Sequence, residues 1–467
     1  MSEKRFITFF ILTSFILLIT IAFSFNGTGD SGDSIMHYLF ARNAIHHPES
    51  FLDSWAKPLF VLLATPFAQF GFTGIKLFNC INTIVSMIAG YLIAKRLNFN
   101  NSWLVPVLLI LGPMNFALCF TGLTEPLFGT ILSLGLCLLF YDRIVIGLIA
   151  LSFLPFVRSE GMFLFIPIVA YLIIQKKYTS IIWLATGQVF YALAGYPHFH
   201  DLLWFYHNNP YSLISSYGNG DWAHYFVNMP SITGIASAIL LAIGFLLIPL
   251  LLFKRNSDNT YKMPLLLIWV LFSMYFFFHV VSWRFGLFGS YGMVRIIIGV
   301  SPLIAIIAVY GFNKIDILFK GKKILSSVFV VVVLVANLVF ILTTLGSDSG
   351  GIDLNMKLTG DQVIENKLGE YIKNKYPDYK KRGVYFYASY LSVPLDVDPT
   401  SPAPNPMHPV ADYPPGSLYI WDNWFSVVEG GMSFNAIDSN ATLKRDTLFE
   451  LKEASGGDYK LGLYIKK

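Results

Sequence analysis

Between Asn26 and Phe72 a polar stretch carries Asp30, Asp33, His37, Arg42, His46, His47, Glu49, Asp53 and Lys57, and it separates two long apolar runs. Ionisable groups set against a bilayer need water, a partner or a task, so their concentration here marks a functional surface. Asp33 heads Gly-Asp-Ser-Ile-Met-His-Tyr. Two readings stand for it. It is the N-cap of a helix starting near Ser34, its carboxylate accepting backbone N–H bonds, or it is a general base that takes the proton of an attacking hydroxyl. His37 follows one helical turn later, on the same face. Asp30 competes for the base's role from a Gly-rich turn.

Glu125, in Thr-Glu-Pro-Leu-Phe, opens another apolar run. Pro126 suits the first position of a helix, where the macrodipole favours the preceding carboxylate. A carboxylate at membrane depth is also costly unless used, so binding acceptor hydroxyls is the functional reading. Together with Asp33 it could hold a divalent cation, magnesium or manganese. The histidines supply no HExxH spacing, and no metal ligand set is assigned. Arg158 and Glu160, in Phe-Val-Arg-Ser-Glu-Gly, sit close enough to pair with each other. Arg284 and Arg295 bracket a Gly- and aromatic-rich loop and require anionic partners. Those partners are lipid phosphates, gripped by bidentate guanidinium contacts, or the acidic residues of the first loop.

These residues need a scaffold, and the composition says which kind. The 467-residue chain is 55% hydrophobic and 13% charged, about half the charge of a soluble domain, so it is an integral membrane protein. Apolar runs near 6–25, 73–94, 103–120, 123–141, 144–157, 161–175, 180–196, 231–253, 264–282, 296–312 and 324–345 predict about eleven transmembrane helices. Threading them alternately puts Lys4/Arg5, Lys95/Arg96, Arg143, Lys176/Lys177, Lys254/Arg255, Lys262, Lys314, Lys320 and Lys322/Lys323 on one face. The positive-inside rule makes that face cytoplasmic. The first loop (26–72), Glu125, Arg158–Glu160 and the loops 197–230 and 283–295 then lie outside. So does the tail, giving a membrane domain over 1–345 and an extracytoplasmic domain over 346–467. The Lys- and Asn-rich composition points to a bacterial inner membrane with a periplasmic site.

Within the first loop, Ser34–His47 and Pro58–Phe70 predict two interfacial amphipathic helices. The tail predicts a small α/β domain: a helix over Asp361–Lys375, strands in GVYFYASY and SLYIWDNWF, and a Pro-rich linker between the strands. The loop 197–230 is rich in Trp204, Tyr206, Tyr211, Tyr217, Trp222 and Tyr225, which serve as an interfacial belt or as sugar-stacking faces. Cys80, Cys119 and Cys137 fall in apolar runs and predict core residues. No phosphate-cradling Gly loop and no basic stripe is present, which excludes nucleotide-driven chemistry and nucleic-acid partners.

Gly32-Asp33-Ser34 with His37-Tyr38 and Arg42, then Lys57-Pro58-Leu59, Thr124-Glu125-Pro126-Leu127-Phe128 and Arg158-Ser159-Glu160-Gly161 occur in an order that resembles the GT-C class of membrane glycosyltransferases. The Asp-Ser-x-x-His-Tyr and Glu-x-Leu-Phe pieces look closest to GPI-type mannosyltransferases and bacterial relatives. The resemblance spans roughly residues 1–300 and leaves the tail unmatched. It implies a polytopic helical fold, a polyprenyl-phosphate-linked sugar donor, a glycan, lipid or protein acceptor, and mannose as the sugar. It also implies inverting transfer, with Asp33 as base, Glu125 orienting the acceptor and Arg158, Arg284 or Arg295 stabilising the leaving phosphate. His37, Arg42, Lys57 and Glu160 join the substrate-binding set. Asp33 stands where many members carry an acidic pair.

The rival classes are a transporter or flippase of lipid-linked sugars, a glycan polymerase or ligase, and an inactive scaffold presenting the tail. Transporters gather polar groups near the midplane in repeated halves. Here the ionisable residues gather at one face and no repeat is visible, which favours the enzyme.

Overall fold

A computed structural model describes every residue except 1, 212, 216, 254–258, 320, 345–347, 350, 351, 354–356, 400–412 and 453–456. Six helices among the described residues are long and apolar enough to cross a membrane: Glu3–Ser24, Gly71–Arg96, Ile235–Phe253, Tyr261–Phe285, Val294–Phe319 and Lys323–Thr344. Each coincides with an expected span. Glu125–Phe140, Ile144–Phe156 and Ser159–Ile174 match three more expected spans but are shorter.

The remaining two expected spans are interrupted. Run 103–120 is two short helices, Leu104–Ile110 and Pro113–Leu118, parted at Gly112. Pro113 has no N–H to continue the ladder and restricts the residue before it, so hydropathy continues where the helix cannot. Run 180–196 begins as a 3-10 turn, Tyr178–Ala185, before the α-helix Thr186–Phe199. The segment around Lys254/Arg255 and Lys320, expected on the positive face, lies outside the described residues.

Both interfacial helices are present, at Asp33–Asn43 and Pro58–Ala68. They pack on one another beside the long helix Gly71–Arg96. Asn79 on that helix donates to the carbonyls of Thr121 and Leu123, at 2.8 and 2.9 Å, and pins the turn that delivers Glu125. The three cysteines are buried and unbridged.

The tail folds around the helix Gly360–Lys375, opened by a capping box in which Thr359 and Gln362 satisfy each other's backbone N–H groups. A two-residue hairpin, β1 (Asp348–Ser349) and β2 (Ile352–Asp353), precedes it. Four strands then form one sheet, β3 (Val384–Phe386), β4 (Leu418–Asp422), β5 (Leu443–Lys452) and β6 (Asp458–Lys466), in the order β3-β4-β6-β5. β3 runs parallel to β4; the other pairings are antiparallel. β3 and β4 fall in the two expected strand segments. The hairpin β5–β6 was not expected, and residues 400–410 of the expected Pro-rich linker lie outside the described set. The helix covers one face of the sheet, while Tyr385, Tyr419, Trp421 and Tyr464 fill the other.

Candidate active site

The turn before the first interfacial helix decides which carboxylate is free to act. Asp30 Oδ1 accepts the backbone N–H groups of Gly32 (3.1 Å) and Ser34 (2.8 Å), so Asp30 closes the turn. Asp33 lies one residue inside the helix, and its N-cap, Gly32, has no side chain to cap with. The expectation of Asp33 as N-cap is therefore corrected: Asp30 takes that work, and the Asp33 carboxylate is released to other partners. Ser34 Oγ donates to the Thr28 carbonyl (2.5 Å) and accepts the Gly122 N–H (2.7 Å), tying this turn to the loop that carries Glu125. Gly122 is required there, because a Cβ would stand 2.2 Å from the Ser34 carbonyl oxygen.

Arg295 is the hub. One guanidinium nitrogen donates to Asp30 Oδ2 at 2.6 Å, the other to Asp33 Oδ2. Its Nε lies 3.7 Å from Glu125 Oε1. The same oxygen accepts from Arg158 at 2.8 Å, and Arg158 Nε donates to Glu160 at 2.6 Å. Glu160 also accepts from the Tyr275 hydroxyl (3.2 Å) and lies 3.6 Å from His279. The result is a continuous chain from Asp33 through Arg295, Glu125 and Arg158 to Glu160. Alternating signs make such burial tolerable. Of the three carboxylates around Arg295, Glu125 keeps 2% of its side-chain surface, Asp30 14% and Asp33 40%. Asp33 is the most exposed of the three.

No protein-family model matches the chain, and no curated protein matches it in sequence. The fold has relatives. The structure of ArnT from Cupriavidus metallidurans bound to undecaprenyl phosphate aligns with a TM-score of 0.65 over 98% of this chain and 97% of that one, at 9% identity. ArnT in the apo state gives 0.63, over 99% and 98%, at 10% identity. ArnT is a GT-C glycosyltransferase. The chain has the GT-C fold.

Within this GT-C fold the other expected residues divide. Lys57 is buried; its Nζ donates to the Tyr211 hydroxyl (2.7 Å) and the Ser54 carbonyl (3.2 Å). Its φ of 69° is a left-handed conformation that a lysine before proline adopts only under constraint, and such constraints cluster at working sites. His37 is buried and stacks on Trp55 at 5.0 Å, and its Nδ1 has no partner among the described residues. Burial pushes its pKa down to about 3, against the opposing pull of Asp33, so the imidazole is neutral. Arg42 stands apart, bonded to Tyr38 (2.5 Å) and 3.9 Å from Asp396. Arg284 also stands apart, exposed above Trp222 and donating at 3.5 Å to the Gly220 carbonyl.

The two loop carboxylates are driven in opposite directions. Burial raises the Asp30 pKa to about 6, with Arg295 opposing and the neighbouring Asp33 charge adding to the rise. For Asp33, burial is outweighed by the Arg295 guanidinium bonded to it, with Arg158 adding to the effect, and the pKa falls below its ordinary value. Asp33 is thus ionised at neutral pH.

The tail reaches the same place, which the sequence did not disclose. Gln362 Nε2 donates to Thr28 Oγ1 at 2.7 Å and to the Asp30 carbonyl at 3.4 Å. Asp398 accepts from Asn43 (2.7 Å) and meets His47 (2.8 Å). Phe425 covers Gly32, where a Cβ would lie 3.6 Å from its ring. The capping box Thr-x-x-Gln was a visible signal for Gln362, but not for the contact it makes.

A divalent cation fits these residues poorly. Among the described residues no group of three or more His, Cys, Asp and Glu could hold a metal. Asp30, Asp33 and Glu125 converge instead on a guanidinium, which takes the position a cation would use.

Proposed function

We propose that this protein is an inverting glycosyltransferase that moves a sugar from a polyprenyl-phosphate carrier to a hydroxyl of a glycan, lipid or protein acceptor. The observation that carries it is Asp33: an ionised carboxylate with accessible surface, held by Arg295 at the mouth of a buried arginine–carboxylate chain. The ArnT-like fold and the undecaprenyl phosphate bound to ArnT support a lipid-phosphate donor.

Asp33 removes the acceptor hydroxyl's proton while that oxygen attacks the anomeric carbon. The bond to the anomeric carbon forms as the carbon–oxygen bond to phosphate breaks, and the electron pair leaves on the polyprenyl phosphate. Arg295, Arg158 and Lys57 stabilise that charge. When Arg295 turns toward the phosphate it loosens from Asp33, whose basicity then rises as the donor binds. Glu125 Oε2, buried and without a partner among the described residues, orients a substrate hydroxyl. Mannose, by the motif resemblance, is our reading of the sugar. The reading includes about eleven spans, a membrane domain over 1–345, an extracytoplasmic domain over 346–467, and a bacterial inner-membrane location with the site on the outer face.

The test uses full-length protein in nanodiscs with radiolabelled undecaprenyl-phosphate mannose, glucose and aminoarabinose, following release of undecaprenyl phosphate. Turnover of at least one donor, lost in a normally inserted Asp33→Asn variant, is expected. Absence of turnover with every donor, or full activity in Asp33→Asn, overturns the proposal.

A further inference from the structure

The tail shields its large apolar side chains from solvent, with one exception. Among its described residues, those left exposed are Trp424 (56%), Val427 (39%) and Val428 (51%), all within a single turn. The two faces of the sheet keep their own apolar residues inside. One exposed apolar side chain needs no explanation, but a contiguous trio on an otherwise shielded domain marks a contact surface.

The backbone that carries the trio is fixed. Asp422, at the end of β4, accepts from the N–H groups of Trp424 (2.9 Å), Phe425 (2.5 Å) and Ser426 (3.0 Å), and from the Ser426 hydroxyl (2.8 Å). Glu429 N and Gly430 N both donate to the Phe425 carbonyl, at 2.9 and 3.1 Å.

The turn's position shows what the trio can meet. Phe425, inside the same turn, is seated on Gly32, at the start of the interfacial helix Asp33–Asn43. Tyr390 joins the hydrophobic core of the spans, with Leu358 and Val393 packed against it, and Gln362 bonds Thr28. The trio therefore adjoins the face by which the tail is seated on the membrane-spanning part. The first loop beneath it leaves Ile45, Leu62, Leu63 and Phe70 exposed, as a segment lying in lipid does. The span Lys323–Thr344 ends just before the tail, so the tail starts within reach of the bilayer. Lipid is the apolar phase at hand.

We propose that Trp424, Val427 and Val428 insert into the lipid leaflet beside the first loop and dock the tail to the bilayer. The inference does not rest on the glycosyltransferase reading. Tryptophan favours the headgroup level, where its ring is in apolar surroundings and its N–H stays wet. Glu429, exposed and next in the chain, keeps its charge in water only if insertion is shallow. The turn is thus an interfacial anchor, and the cover that Phe425 places on Gly32 is held from the lipid side as well as from the protein side.

The test uses full-length protein in phosphatidylcholine nanodiscs, with an environment-sensitive NBD fluorophore on Val428→Cys. Doxyl-labelled phosphatidylcholine serves as the lipid quencher and iodide as the aqueous one. The three native cysteines are buried, and unsubstituted protein taken through the same labelling gives the background. Lys444→Cys, exposed on β5, is the water reference. The doxyl lipid should quench the label at 428 severalfold more than the label at 444, and iodide should do the reverse. Trp424→Ser, a change at an exposed position, should shift the label at 428 toward the water pattern. Iodide quenching at 428 equal to that at 444 would leave the patch in water, and protection from both quenchers would put a second copy or another protein over it. Either result overturns the anchor, as does unchanged lipid quenching in Trp424→Ser for the part given to Trp424.

Discussion

Asp33 and Arg295 stand 262 positions apart in the chain and are hydrogen-bonded to each other. The same guanidinium holds Asp30, so one buried cation compensates two carboxylates of the first loop. Arg295→Met leaves both without their counter-charge and is expected to cost about 3–5 kcal/mol, as for other broken buried pairs. Arg295→Lys keeps the charge but not the two-pronged geometry, so turnover should fall more than stability does. Thermal unfolding followed by size-exclusion chromatography, together with donor turnover, measures both. A lysine variant with wild-type turnover would remove Arg295 from the mechanism.

Asp30 titrates near pH 6. On the proposed mechanism, its charge above that pH strengthens Asp33 as a base and divides the attention of Arg295. Turnover should therefore rise from about pH 5 to about pH 7, the window of a carboxyl titrating near 6. The raised value also fixes a stability sign: the Asp30 contribution is fully present below the unfolded pKa of about 3.9 and is lost as pH climbs through 6. Asp30→Asn should flatten the rate profile. Survival of the inflection near pH 6 in that variant would assign it to another group.

Gly122→Ala pushes a methyl group into the Ser34 carbonyl. The bond from Gly122 N to Ser34 Oγ, which registers the Glu125 loop against the Asp33 helix, cannot survive the shift. A loss of about 1–3 kcal/mol is expected, typical of overpacking. The change should be visible as a lower unfolding temperature and reduced turnover. Equal stability and activity would show that the two loops are not coupled through this contact.

Glu365, on the tail helix, is buried beside Asp361 and Asp422, and its Oε2 has no partner among the described residues. Burial first, and those two carboxylates second, push its pKa well above the usual range. Its stabilising contribution is present below the unfolded pKa of about 4.3 and is lost as pH rises through the raised folded value. Glu365→Gln should therefore raise the unfolding temperature at pH 8 and leave it nearly unchanged at pH 5, by about 1–3 kcal/mol of relieved burial cost. A pH-independent difference would contradict the assignment.

The interfacial helices and the six long spans were legible because each rests on a local contrast of polar and apolar residues. The Arg158–Glu160 pair was legible from its spacing. Arg295 offered lipid phosphate or first-loop carboxylates as partners, and the fold pairs it with the second. What stayed hidden depends on contacts between distant segments. Asp30 rather than Asp33 caps the turn because the backbone curls so that Asp30 Oδ1 reaches Ser34 N, a geometry that either aspartate's neighbours would permit. Strands β5 and β6 carry LKRDTLFELK and DYKLGLYIK, whose charges mask the period-two pattern. Gln362 is a neutral side chain reaching 334 positions back to Thr28, and no periodicity marks such a bond.

That bond sets an order of events. The first loop emerges early in synthesis, whereas its turn is completed by Gln362 and roofed by Phe425, both supplied by the last quarter of the chain. Long-range closure of this kind is among the last steps a chain takes. A nascent or prematurely terminated protein can carry Asp33 and both arginines and still lack the fixed turn that aims them. The turn that positions Asp33 thus depends on contacts made from more than three hundred positions further along the chain.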